Sequence, residues 1–573
     1  MSSKKAKSIP VSIKEIFKVP YGRVIEKYKK RLDILKQKEA EFREYKRDRR
    51  QFLDHMLHDY RTSDNVVVEK IEPRIRALIR GMAIRAIGYG SPQSRYANYF
   101  DKKLEEILSK RETALNHRVR AQIVDEVRGL YDEIEPKYQL STDRFVVDLG
   151  LKQTAAVVSA DSLARGTDEE GRPIAGELYM TGFSIFDLIE HTDFIGSVGI
   201  MLKQEPLTRT EYDKLKVLMT SRARLTDAEK QIVDLNAENF SSDQVANAKL
   251  LMKTVNQVML YAAGENEYVV LTGDPGDVFH RIADQGLEAG AKTMVATAYA
   301  VRKLLKKQGK DLDEMPSEAD CELGWGGNFL RFLYGEASAK DGDFEERAAA
   351  MDAYFQLIRT HGAGNASTFS TRIAGSAHAD VYAALSSGNN ALSGDRHGFA
   401  NFLVRKQVDP IYERLCGENG EITDSMIKEE IEKIWDKGES FQGIGHPVYM
   451  NDPERMLAGD PRKEVMEDII KSWDIPELNK KLEFYLRWEE HATSKLEREK
   501  GVKNRFPANV DFLTAFLLQD RVQLPLEANP VVFEVGRIFG HLAHYMEAIQ
   551  FGLIRSKTLY VGEKGRELIG TIR

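Results

Sequence analysis

The chain has almost no cysteine: Cys321 and Cys416 are the two in 573 residues. They stand far apart with no second-ligand spacing around them, which excludes a disulfide framework and a cysteine-based metal site and fits a reducing compartment. Long apolar runs are missing as well. The best candidate, FIGSVGIML, is too short to cross a bilayer and closes on Lys203. Charge of one sign is scarce, since 83 Lys and Arg face 89 Asp and Glu for a net −6, so no overall field recommends nucleic acid or an anionic membrane as partner. No GxGxxG follows a strand, no GxxxxGK[ST] occurs and no βαβ alternation recurs, so nucleotide-binding folds lose support. The basic N-terminus MSSKKAKSIPVSIKEIF lacks an apolar signal core, has no Arg and meets Glu15 early, so cytoplasm is expected ahead of the mitochondrial matrix.

What is present is 42% hydrophobic and 30% charged sequence, enough for two or three sizeable cores. Val24 to about Tyr60 reads as one amphipathic helix, with Ile25, Tyr28, Leu32, Leu35, Phe42, Leu53 and Met56 at helical spacings. Its run EYKRDRR mixes both signs and reads as a solvated face. Further helices are expected at Ile71 to Ile87 and Tyr99 to Ile134, split at GYGSPQS. Residues 1–145 thus form a helical module without a catalytic constellation, suited to assembly or regulation. His55 and His58 share a helix face but lack a third ligand, so they read as surface or core histidines. Around Phe145 a short strand or two is expected, then a small turn in GELYMTGFS. Helix follows at Thr226 to Ala263 and Asp277 to Gln308, and nearly all the way to Ile554.

Within this helical body, four short glycine-rich segments carry the chemistry: RTHGAGNASTF around His361, ALSGDRHGFAN around His397, FQGIGHPVYMNDPER around His446, and FPANVDFLTAF around Asp511. Histidine beside glycine at the end of an apolar run can reach a small ligand, because the backbone has room to approach it. Imidazole donors to a carbonyl, plus a carboxylate that takes a proton, are the parts needed to enolise a carbon acid. A keto acid as second reactant would need arginines to hold its carboxylates, and Arg455, Arg537 and Arg555 stand nearby. Each has a plain alternative: a structural histidine, an N-capping Asp511, or an Arg537 paired beside its own helix. His541 and His544, one turn apart, suggest a metal, yet LAHYM reads as a packed helix.

The order of these motifs from about Asp148 onward resembles the citrate synthase family. GELYMTGFSIFDLIEHTDF, KTMVATAYAVRKLL, GGNFLRFLYGE and AMDAYFQLIRTHGAGNASTF follow its early and central regions. ALSGDRHGFAN is similar to L-x-G-P-L-H-G-x-A-N, GIGHPVYMNDPER to G-F-G-H-x-V-x-x-x-x-D-P-R, and NVDF carries the aspartate. VGRIFGHLAHYMEAI and LIRSKTLYVG resemble the two final arginine segments. The resemblance implies an all-α fold over residues 146–573, with a small domain of roughly 400–515 inserted in a large one, a cleft between them and a homodimer. It implies that His397 binds the thioester carbonyl of acetyl-CoA, Asp511 takes a methyl proton, and His446 serves the keto oxygen of oxaloacetate. His361, Arg455 and Arg537 would hold that substrate, Arg555 would reach in from a second subunit, and Gly443 and Gly445 would lie against the CoA adenine. No permanently bound cofactor is implied, coenzyme A thioester being a substrate. Departures are the extra residue between His361 and NASTF, Asp395 and Arg396 in place of Pro-Leu, Met450 at a commonly basic position, and DPER in place of DPR. Asp395 and Arg396 resemble the citryl-CoA-cleaving relatives within ATP-citrate lyase. A citrate-forming synthase is expected, with 2-methylcitrate synthase, citryl-CoA lyase and a non-catalytic assembly protein as alternatives.

Overall fold

A computed structural model describes residues 12–17, 50–51, 53–62, 71–76, 78–79, 95–109, 117–143, 159–162 and 177–554. The last span lacks 265, 267–268, 270, 272–273, 420, 447–448, 450, 453–456, 502–505 and 551–552. The chain divides into two compact units, Met1–Ile25 with Ala156–Leu553, and Glu26–Ala155 with Ile554–Arg573.

The smaller unit is helical at 53–62, 71–76, Arg95–Ser109 and His117–Asp143. Leu53, Leu57 and Tyr60, then Ile71, Ile75 and Ile79, then Ile123, Val127 and Leu130 recur at three- and four-residue steps and close its own core. His55 and His58 lie on the exposed face of the first of these stretches. The N-terminal part of the expected long helix, 24–49, lies outside the described residues.

The larger unit is built almost wholly of helices, as an all-α chain should be. Its first three strands are short: Ser159–Ser162 (β1), Glu177–Met180 (β2) and Phe183–Ser184 (β3), antiparallel in that order, with Thr181 and Gly182 at φ +53° and +89°. Two successive positive φ values give the tight turn whose twist matches a hairpin. The first helices are α1 (Ile13–Ile16), α2 (Ile185–His191), α3 (Phe194–Lys203) and α4 (Arg209–Arg222), followed by α5 (Asp227–Ala237), α6 (Gln244–Ala263) and α7 (Pro275–Lys307). Thr208 with Glu211 and Thr226 with Glu229 form capping boxes that start α4 and α5, and Asp274 caps α7 with Pro275 in its first turn. The apolar FIGSVGIML is the buried helix α3, and among the described residues no helix is long and apolar enough to cross a membrane.

Next come α8 (Trp325–Tyr334), α9 (Phe344–Ile358), α10 (Ala366–Ser376) and α11 (Val381–Leu392). A group that packs largely on itself follows: α12 (Ala400–Asn419), α13 (Asp424–Asp436), α14 (Pro461–Ser472), α15 (Pro476–Lys500) and α16 (Asp511–Ala515). The chain then makes a π-turn at Phe516–Arg521 and ends its core with α17 (Asn529–Ala548). Asp520 in that turn pairs with Arg405 and Lys481 on α12 and α15, while Arg521 pairs with Asp343 and Glu346 at the start of α9.

Helices α7 and α17 form the centre. Every residue of α17 is buried, and Gly286 and Gly290 of α7 leave room for Leu542 and Phe539, which a Cβ would strike. Helix α17 therefore also buries Glu534, Arg537, His541, His544 and Glu547. Charged residues at such depth mark a place where the fold serves more than packing.

Candidate active site

Four loops and one helix assemble the site. The first loop joins α9 to α10 and presents His361, which is 6% exposed. The second, between α13 and α14, turns on Gly443 (φ +73°) and Gly445 (φ +93°) and presents His446. The third leads into α16 and Asp511. Loops two and three are sewn together: Gly445 N–H donates to the Pro507 carbonyl at 2.7 Å, Asn509 N–H to the Gly443 carbonyl at 2.9 Å, and Ile444 bridges Ala508. These bonds use backbone that only a left-handed conformation exposes on that side, which is why glycine occupies both positions.

His361 and His446 meet with ring centroids 5.6 Å apart, and the His446 ring stacks on Tyr449 at 4.4 Å. Tyr449 N–H donates to His446 Nδ1 at 3.3 Å, which leaves the proton of a neutral His446 on Nε2 as a donor.

His397, in the loop between α11 and α12, sets Nε2 2.9 Å from Ser367 Oγ. The Ser367 hydroxyl donates to Asn365 Oδ1 at 2.9 Å, so His397 carries its proton on Nε2. Burial, then the positive charge of Arg537 and the neighbouring His361, push this imidazole down to about 3, and it stays neutral across the physiological range. Arg537 is 1% exposed and donates through Nε to the Ile358 carbonyl at 2.5 Å and through Nη1 to Asn365 Oδ1 at 3.5 Å. The loop of His361, the ring of His397 and the Arg537 guanidinium thus share Asn365 and Ser367.

Asp511 is the first residue of α16 and does not cap it; Val510 holds the cap position, and Asp511 Oδ1 is enclosed without a hydrogen-bond partner. Burial pushes its carboxyl up to about 6, against the pull of Arg462; Asp460 adds to the rise and Arg537 opposes it. Tyr354 of α9 is fully buried, which raises its hydroxyl well above the usual range; the charge of Asp511 adds to the rise and that of Arg537 opposes it.

Sequence reasoning missed Asp460 and Arg462. Arg462 is 3% exposed, grips Asp460 through Nε and Nη2 at 3.0 and 2.7 Å, and lies over the Tyr449 ring at 5.6 Å. Burial alone would raise Asp460, but the Arg462 charge and hydrogen bonds hold it below the usual carboxylate range, with His446 contributing. Its Oδ2 also accepts from Val510 N–H at 3.0 Å, so this pair braces the Asp511 loop. The signal was there: residues 460–462 read Asp-Pro-Arg, the tripeptide sought at DPER. Arg455, Arg555 and Met450 lie outside the described residues. Asp395 and Arg396 are exposed; Asp395 pairs with Lys249 of α6 at 3.2 Å and takes no part in the cluster. His541 and His544 are fully buried hydrogen-bonding residues, His541 on Asn389 and His544 on Thr360 and Glu547.

Residues 150–557 match the citrate synthase C-terminal domain family. A citrate synthase of Corynebacterium glutamicum is 29% identical over 246 residues, 42% of this chain and 52% of that protein, so the chain spans about half of the length of this curated relative. Citrate synthase 2 of Bacillus subtilis is 25% identical over 68% of this chain and 92% of its own. The same fold occurs in the citrate synthase of Thermoplasma acidophilum, solved as a ternary complex with carboxymethyl coenzyme A and oxaloacetate, at a TM-score of 0.54 and 22% identity over 69% of this chain and 92% of that one. The citrate synthase of Thermotoga maritima aligns at a TM-score of 0.53 and 18% identity, over 74% and 98%.

Proposed function

Because the chain belongs to the citrate synthase family, we propose that it condenses acetyl-CoA with oxaloacetate, giving citrate and CoA through an enol. The observation that carries this reading is the shared neighbourhood of Asp511, Arg537, His397 and His361, with His446 against His361. An enolisation needs a base and a hydrogen-bond donor that act together. A carboxylate alone is too weak a base for a carbon acid, and the donor lowers the energy of the enol oxygen.

Asp511, raised to about 6, is ionised at neutral pH yet more basic than an exposed aspartate, and it takes the proton from the acyl methyl group. Neutral His397 donates its N–H to the thioester oxygen in place of Ser367. The enol carbon then attacks the keto carbon of oxaloacetate, whose oxygen receives a hydrogen bond and finally the proton from His446 Nε2. Water cleaves the resulting citryl-CoA thioester to citrate and CoA. His361 orients the keto acid, and Arg537 holds one of its carboxylates. No bound cofactor enters this chemistry. Gly443 and Gly445 present backbone to the CoA adenine, and a homodimer in the cytoplasm would bring Arg555 of one copy to the other's site.

Two arginines compete for the second carboxylate, Arg455 by its spacing from His446 and Arg462 by its burial beside His446 and Asp511. The burial argument favours Arg462. Arg462→Lys keeps the charge toward Asp460 but loses the planar fork. It is expected to raise the KM for oxaloacetate roughly 10- to 100-fold, with Arg455→Lys nearly silent; the reverse ranking in steady-state kinetics assigns the role to Arg455.

The activity itself is read as thiol release from acetyl-CoA and from propionyl-CoA, each with and without oxaloacetate. Release that needs both substrates and prefers acetyl-CoA is expected. A preference for propionyl-CoA would make the enzyme a 2-methylcitrate synthase, and silence with both acyl groups would end the proposal.

A further inference from the structure

Helix α17 holds the segment before His361 at successive points along its length. Gly536 packs on Ile358 and Gly540 on the Arg359 carbonyl, each closer than a Cβ would permit. Arg537 binds the Ile358 carbonyl, and about two turns further on His544 Nε2 lies 3.1 Å from Thr360 Oγ1. The other ring nitrogen of His544, Nδ1, is 3.3 Å from Glu547 Oε2, and Arg372 of α10 donates to that same carboxylate oxygen at 2.5 Å. Thr360, Arg372, His544 and Glu547 are all completely buried.

Burial holds the His544 imidazole below its ordinary pKa, so the ring is neutral and gripped at both ends rather than used as a charge. A histidine backed by a carboxylate and a guanidinium is a stiff support: the ion pair cannot open without leaving a bare charge in the interior. The group it supports is the main chain that presents His361, whose ring meets His446 at 5.6 Å. Neither the proton transfers nor the carboxylate grip described above uses His544.

We infer that His544, braced by Glu547 and Arg372, is a positioning residue that sets the Thr360–His361 backbone so that His361 meets the keto acid in register with His446. The inference rests on the proposed condensation. It assigns His544 to affinity for oxaloacetate and not to the removal of the acyl proton.

The test uses the full-length protein and two substitutions that keep one end of the ring each. His544→Gln retains an amide near the Nε2 position, facing Thr360; His544→Asn retains one near Nδ1, facing Glu547. His544→Asn is expected to raise the KM for oxaloacetate roughly 10- to 100-fold while kcat changes by no more than a few-fold, and His544→Gln recovers most of that loss. Equal loss of kcat in both variants at unchanged KM would overturn the inference, because a purely structural role cannot distinguish the two ends. Amide hydrogen exchange over 359–365 gives a readout that does not need turnover: faster exchange in His544→Asn than in His544→Gln supports the positioning role, and identical exchange rejects it even if the condensation itself is absent. Should neither variant fold, Thr360→Val removes only the hydroxyl partner and is expected to raise the same KM; an unchanged KM rejects the assignment.

Discussion

Asp511→Asn is expected to fold, to resist denaturation better than the parent at neutral pH, and to release thiol about 100- to 10,000-fold more slowly, the range that one positioned base contributes. The two effects have one origin. The Asp511 carboxyl stands at about 6 in the folded protein against an ordinary value of 3.8. A carboxyl raised on folding binds its proton more tightly in the native state, so stability falls as pH rises from about 4 to 6 and the cost of the buried charge is fully present above 6. At 1.36 kcal/mol for each unit of pKa that cost is at most about 3 kcal/mol. Asparagine carries no charge to bury and removes it. Urea denaturation at pH 7.5 and again near pH 4 checks the sign: the stabilisation should be present in the first and gone in the second. The same group predicts that kcat/KM of the parent falls away on the acid side of about pH 6. An Asp511→Asn protein with parental turnover would remove Asp511 from the base role altogether.

His397→Ala is expected to lower kcat about 100- to 1,000-fold, the loss found when one donor to a developing oxyanion is deleted. The KM for oxaloacetate should hardly move, because the proposed mechanism gives the His397 ring, which bonds Ser367, to the thioester and not to the keto acid. His397→Gln keeps a donor and should recover part of the rate. A His397→Ala enzyme that loses affinity for oxaloacetate while keeping kcat would exchange the parts assigned to His397 and His361.

The helical body could be read from spacing alone because apolar residues recur every three or four positions. The stretch expected to be helical from Asp277 to Gln308 is α7, Pro275–Lys307. The run from Thr226 to Ala263 is two helices, α5 and α6, separated at 238–243, where Asp243 caps the second. Local pattern under-reads such a break when both sides are good helix formers. The candidate site residues could be picked out for a different reason, since His361, His397, His446 and Asp511 each sit in a short segment whose glycines and neighbours follow a family order. Arg462 was not, although its tripeptide is in plain view. Sixteen residues separate it from His446, the strands Asn451–Asp452 and Leu457–Ala458 intervene, and nothing local announces that Asp460 will accept a bond from Val510, fifty residues on. The His544 to Thr360 contact spans 184 residues and joins two side chains that composition would place in an ordinary packed helix and an ordinary loop. Long-range polar partners of this kind are decided by the tertiary fold, and a periodic pattern contains no record of them.

The π-helical turn at Phe516–Arg521 ties two groups of helices together. Its last two residues are harnessed in different directions, Asp520 to Arg405 and Lys481, Arg521 to Asp343 and Glu346. Asp511 lies on the short helix that runs straight into this turn. The carboxylate proposed as the base is thereby tethered, through one turn of chain, to α12, α15 and the start of α9 at once.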